Sequence, residues 1–81
     1  MDQNTTVFTP QKDESKRVKE IMEQVVIALK DKGYEPVSQI IGYILSGDPT
    51  YITSHQNARA LICKIERDDL LQEMIRKYLD V

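Results

Sequence analysis

The sequence is poor in the residues that most often betray a chemistry. Its 81 residues include no tryptophan, one phenylalanine, one cysteine and one histidine. A lone cysteine, Cys63, excludes an internal disulfide framework. Cys63 and His55 together fall short of a four-ligand metal set. They stand eight residues apart, about 80° around a helix, which does not favour a Cys–His nucleophilic pair either. No metal and no cofactor are expected. Charge of one sign is also missing: eleven lysines and arginines face thirteen acidic residues, net -2, with no block of like charge. Binding to nucleic acid draws its affinity from phosphate neutralisation, so that partner is disfavoured. Uninterrupted apolar runs last only a few residues, against roughly 20 for a bilayer span, and no membrane insertion is expected. Asp2 and the lack of a basic-then-apolar pattern argue against a signal peptide. With one unpaired thiol, this points to the reducing cytoplasm.

What is present is concentrated in one segment, Gly33 to Asn57. It holds all three glycines, two of three prolines, three of four tyrosines, and no lysine or arginine. A stretch so poor in charge reads as interior, with charged helices packed around it. A chain of this length buries only about 60% of its unfolded surface. Without a disulfide, oligomerisation is a common support for so small a body, and a homodimer is expected.

Residues 1–12 show no helical period and read as a flexible N-terminal arm. The arm carries Thr5, Thr6 and Thr9, with Phe8 able to dock back on the body. Residues 13–81 read as a single helical domain. Asp13 or Ser15 caps a first helix whose apolar positions Val18, Ile21, Met22, Val25, Val26 and Leu29 follow the helical period. Ile27 points away from that stripe as a tolerated surface residue, and Lys32-Gly33 ends the helix. Pro36 suits the first turn of a second helix with Val37, Ile40, Ile41, Ile44 and Leu45 as its stripe and Tyr43 on another flank. No charge falls between Pro36 and Gly47, so this helix reads as the core. Gly42 in its middle costs about 1 kcal/mol relative to alanine, a cost that close approach by another backbone would offset. Gly47, Asp48 and Pro49 form a turn, with Tyr51 and Ile52 pinning the loop.

Thr53 or Ser54 then caps a third helix with the stripe Ala58, Leu61, Ile62 and Ile65. Leu70, Leu71, Met74, Ile75, Tyr78 and Leu79 continue in a shifted phase. This favours two short helices meeting near Arg67, with Asp68 as cap, over one bent helix. The fold class is therefore all-α: four short helices, or five, bundled around a central apolar helix in a homodimer.

Several residues resemble site chemistry without completing it. Asp48 in Ser46-Gly47-Asp48-Pro49 reads as a turn aspartate accepting backbone N–H groups. Gly42 and Gly47 make no phosphate loop, because no strand precedes them and no lysine follows. The second and third helices admit a helix-turn-helix reading and hence a nucleic-acid accessory protein, but the supposed recognition helix carries only Arg59 and Lys64. The arm threonines differ, since an accessible hydroxyl on an extended arm suits a kinase. A phosphate there would add about -1.5 to -2 charge.

The run Lys32-Gly33-Tyr34-Glu35-Pro36-Val37-Ser38-Gln39-Ile40-Ile41-Gly42-Tyr43-Ile44-Leu45-Ser46-Gly47-Asp48-Pro49-Thr50-Tyr51-Ile52, then His55, Asn57-Ala58-Arg59 and Glu66-Arg67-Asp68, resembles the IreB family of small regulatory phosphoproteins. The similarity extends from Arg17 to Leu79. The resemblance implies an all-helical homodimer without enzymatic activity. It also implies a substrate of a membrane-anchored Ser/Thr kinase with PASTA domains, and of its cognate phosphatase, in the cell-envelope stress response and tolerance of cell-wall antibiotics. A further downstream protein would receive the signal. The resemblance also implies phosphoacceptors, which in the characterised family member are threonines of the N-terminal arm ahead of a phenylalanine: the Thr-x-x-Phe spacing selects Thr5, and a Thr-Val match selects Thr6.

Overall fold

The computed structural model describes residues 11–81, which form four helices and two short 3-10 turns with no strand among them. Helix α1 spans Gln11–Asp31, α2 Pro36–Ser46, α3 Ala58–Ile62 and α4 Arg67–Leu79. The turns, Pro49–Tyr51 and His55–Asn57, lie between α2 and α3. Thr5, Thr6, Phe8 and Thr9 fall outside the described residues. Helix α1 begins ahead of the expected boundary, so Asp13 and Ser15 lie within its first turns instead of capping it.

The centre of the body is α1. Val18, Ile21, Val25, Ala28 and Leu29 are buried along one face, and Met22 packs against that core. Opposite them sit Ala58 and Ile62 of α3, Ile52 and Ile65 from the loops, and Leu70 of α4. Each large aliphatic side chain fully buried in this way contributes about 1.5–3 kcal/mol. Ile27 is exposed, as its position on the helix requires. The end of α1 follows the expected pattern. Gly33 takes φ +84°, and the N–H groups of Gly33 and Tyr34 donate to Lys30 and Leu29 carbonyls at 2.9 Å each. This is the paired closure that a left-handed glycine permits.

Helix α2 departs from expectation. It is apolar, but it lies against the edge of the body and not at its centre. Tyr43, placed on a flank by the sequence, is its buried residue, while Ile40 and Ile44 are half-buried against the core. Val37, Ile41 and Leu45 face outward at 62%, 51% and 80% exposure. The physical reason is rotational. Tyr43 and Ile40 share one side of the helix, and positions 37, 41 and 45 fall roughly 100° or more around from it on average.

Past α2, the chain makes a strained corner. Gln56 and Asn57 both adopt left-handed backbone, at φ 53° and 65°. Neither Thr53 nor Ser54 caps α3 directly: Thr53 Oγ1 accepts instead from the His55 N–H at 3.2 Å. The break before α4 falls where two short helices were expected, but Glu66, not Asp68, occupies the cap position. Asp68 lies in the first turn and accepts the Asp69 N–H at 3.0 Å. Of the apolar pattern on α4, Leu70 and Met74 face the body, whereas Leu71, Ile75, Tyr78 and Leu79 are exposed.

Candidate interaction surface

The segment from Glu35 to Arg67 is held together by its own polar side chains. At the N-terminus of α2, the Glu35 carboxylate accepts the Ser38 hydroxyl at 2.7 Å and the Ser38 and Val37 N–H groups at 2.9 and 3.3 Å. Those bonds, the Ser38 hydroxyl foremost, hold the Glu35 carboxyl below its ordinary pKa, and a carboxylate here also suits the positive end of the helix. At the other end, Gly47 takes φ 74° and its N–H donates to the Tyr43 carbonyl at 2.8 Å. The Arg67 guanidinium, reaching across from α4, donates to the Ile44 carbonyl at 2.7 Å.

The loop after α2 is fixed in the same manner. Asp48 Oδ1 accepts the Thr50 hydroxyl at 2.7 Å and the Thr50 N–H at 3.0 Å. These two bonds, the hydroxyl first, pull its pKa down from the usual range. Gln39 Nε2 donates to the Tyr51 carbonyl at 2.8 Å, and Arg59 Nε donates to the Ile52 carbonyl at 2.9 Å. Gly42 faces the Tyr51 ring: a β-carbon there would lie 3.0 Å from Tyr51 Cζ and nearer still to Cε1 and Cδ1. The close approach expected at Gly42 is thus made by a side chain of the same chain, not by another backbone. Two further braces join distant parts. Arg17 Nη2 donates to the Lys64 carbonyl at 2.8 Å, and His55 Nε2 lies 2.6 Å from Asp31 Oδ2.

This arrangement leaves the sequence's chemical candidates in structural roles. The Asp48 carboxylate is engaged within its own turn. His55 and Cys63 have different neighbours, Asp31 for the first and Tyr43 for the second, whose hydroxyl donates toward Sγ at 4.0 Å. Burial pushes the Tyr43 phenol up, with the Cys63 contact second. Cys63 itself is exposed, standing in the turn that ends α3. Among the described residues, no three His, Cys, Asp or Glu side chains gather as a metal site, and no helix is long and apolar enough to cross a membrane. Helix α3 is only five residues long and Arg59 is turned onto the chain's own backbone. A recognition helix for a nucleic-acid groove is not formed there.

What the structure does present outward is apolar. Val37, Ile41 and Leu45 follow one another at four-residue steps on α2, and Leu71, Ile75 and Leu79 do the same on α4. Leu71 of the second stripe lines a depression with Glu66, Arg67, Asp68 and the half-buried Ile44 of α2. The sequence marked Val37, Ile41 and Leu45 as core or interface, and they belong to this outer face. It did not single out Leu71, Ile75 and Leu79, although their shifted phase was the available signal. Tyr43, Ile40 and Ile44 line the inner side of α2, and Gly42 meets the Tyr51 ring on another side. Gly47, Asp48, Pro49 and Tyr51 form the bracing loop.

Over 77 residues the chain is 54% identical to a UPF0297 protein of Lachnoclostridium phytofermentans, covering 95% of this chain and 88% of the relative. A UPF0297 protein of Acetivibrio thermocellus is 53% identical over 76 residues, 94% of this chain and 84% of its own length. One from Ruminiclostridium cellulolyticum is 49% identical over 76 residues, 94% of this chain and 86% of its own. The family model described as IreB regulatory phosphoprotein matches residues 3–80, the threonine pair and the braced segment included, and the chain belongs to that family.

Proposed function

We propose that this protein is a non-enzymatic regulator switched by phosphorylation of Thr5 or Thr6. The kinase is a membrane-anchored Ser/Thr enzyme with PASTA domains, opposed by a cognate phosphatase. The setting is the cytoplasmic side of the cell-envelope stress response, including tolerance of cell-wall antibiotics. The output is contact with a downstream protein. The observation that carries this reading is the family match, whose span from residue 3 takes in both threonines. The polar residues of the braced segment supply supporting evidence, because each is engaged in holding the chain to itself. Phosphate at either threonine would add about -1.5 to -2 charge to a stretch whose one ionisable side chain before Lys12 is Asp2.

In this reading the body works as a homodimer, and the outward stripes of α2 and α4 form its contact. An exposed apolar face of this kind suits an interaction surface, and a second copy would supply the cover that so short a chain lacks. Two measurements test the proposal. Incubation with a PASTA-type kinase, followed by mass spectrometry, is expected to place phosphate on Thr5 or Thr6; an unmodified chain refutes the switch. Sedimentation is expected to give a dimer that Ile41→Asp with Leu45→Asp converts to a folded monomer. A wild-type monomer at high concentration refutes the assembly.

A further inference from the structure

A second apolar feature lies apart from the α2 stripe. Between α1 and α4 runs a groove of about 390 Å³, with Val18 and Met22 on one wall and Met74 and Tyr78 on the other. Lys19, Lys77 and Glu73 stand around it. On α4 these residues turn away from the Leu71–Ile75–Leu79 stripe, since positions 73, 74 and 77 lie on the side of buried Leu70. Tyr78 is 89% exposed although it lines the groove, so its ring offers a face with nothing against it. Methionines on both walls make a surface that adapts to an aromatic guest.

We propose that the occupant is the chain's own N-terminal segment, with the Phe8 ring seated between Met22 and Met74 and Val7 beside it. Three considerations converge on this guest. The near end of the groove lies at Ser15 and Val18, four and seven residues along α1 from Gln11, where the preceding ten residues join the helix. Those residues contain the only phenylalanine of the protein, next to a valine. The reach is also adequate. Three residues of extended chain, Gln11 back to Phe8, span about 10–11 Å, and seven residues of helix, Gln11 to Val18, rise about 10.5 Å. Met22 lies about 6 Å further along the helix, a gap covered by the ring and by a methionine side chain that leans back toward the helix N-terminus. Docking sets Thr5 and Thr6 three and two residues from the seated ring, near the ammonium groups of Lys19 and Lys77.

The protein suits a direct test because it has only three methionines, of which Met22 and Met74 line the groove and Met1 does not. Full-length, unphosphorylated chain is labelled at the methionine methyls and observed by NMR at a fixed concentration. Cross-peaks are expected from the single set of phenylalanine ring protons to the Met22 and Met74 methyls. Phe8→Ala should abolish them and shift both methyl signals, and Phe8→Leu should retain part of the shift. No cross-peaks, with methyl signals indifferent to Phe8→Ala, would overturn the proposal. So would methyl signals that move on dilution but not on Phe8→Ala, because a second copy would then be the occupant. The experiment involves no kinase, so it stands or falls apart from the phosphorylation reading.

Discussion

Replacing Gly42 with alanine sets two effects of known sign against each other. In the middle of a helix, alanine is favoured over glycine by about 1 kcal/mol. On that ground alone, Gly42→Ala would stabilise α2. The structure argues otherwise, because the new methyl would meet the Tyr51 ring at 3.0 Å from Cζ and more tightly at two other ring carbons. The ring cannot slide away without disturbing a backbone held on both sides: the Tyr51 carbonyl accepts Gln39 at 2.8 Å, and the next carbonyl accepts Arg59 at 2.9 Å. Overpacking of this sort costs about 1–3 kcal/mol, so the substitution is expected to be neutral to destabilising by about 2 kcal/mol. The decisive comparison is the same change made in Tyr51→Ala, where the obstruction is gone and about 1 kcal/mol of stabilisation should appear. The resulting coupling of about 1–3 kcal/mol is typical of residues in direct contact. Urea unfolding of the four proteins, at one protein concentration, measures it. If Gly42→Ala raises stability equally in both backgrounds, the ring does not press on Gly42 and the account of the segment is wrong.

Arg67→Ala removes the charge-assisted bond that closes the C-terminus of α2, and should cost about 1 kcal/mol, or about 4–8 °C in Tm for a domain of this size. Arg67→Lys should recover only part of it, since an ammonium lacks the planar fork; a wild-type Tm in Arg67→Ala would count against the brace. Glu35 and Asp48 have folded-state pKa values below their ordinary 4.5 and 3.8, so the stability they confer is complete above those values and is lost as pH falls through the lowered ones. Acid titration followed by circular dichroism should therefore show a shallower loss in Glu35→Gln, with the two proteins running parallel above about pH 6. Gln56→Gly relieves a left-handed backbone that costs a non-glycine residue about 1–2 kcal/mol, set against a glycine entropy cost of about 0.5–1 kcal/mol. A small gain in Tm is expected, and a fall would show that Gln56 makes a compensating contact.

Periodicity in the sequence was enough to place α1, because its buried side follows the helical repeat through Val18, Ile21, Val25 and Leu29. The closure at Gly33 and the break before Arg67 were legible for the same kind of reason: a glycine or a charged interruption acts locally. The position of α2 was not legible. A run without charge states that a face avoids water, and does not state whether the chain's own atoms or another molecule's provide the shelter. Gln56 gave no sign of its left-handed turn either; the corner lies between the fully buried Ile52 and Ala58, a placement that no local pattern marks. The side-chain braces fall between these cases. Asp48 in its turn could be read from its neighbours. Gln39 to Tyr51 and Arg67 to Ile44 join residues 12 and 23 positions apart, and no local pattern encodes such a partner.

These braces, local and long-range, also bear on where function can reside. Glu35, Gln39, Asp48, Arg59 and Arg67 all belong to the stretch that carries the family resemblance, and each is engaged on a neighbouring backbone or hydroxyl group. Residues so engaged fix the outline of α2 and its loop. They are not free to bind a substrate without releasing the bond that holds them. The apolar side chains this framework turns outward include Val37, Ile41 and Leu45 on α2 and Leu71, Ile75 and Leu79 on α4. A rigid polar frame that displays a plain apolar face is suited to recognition by shape.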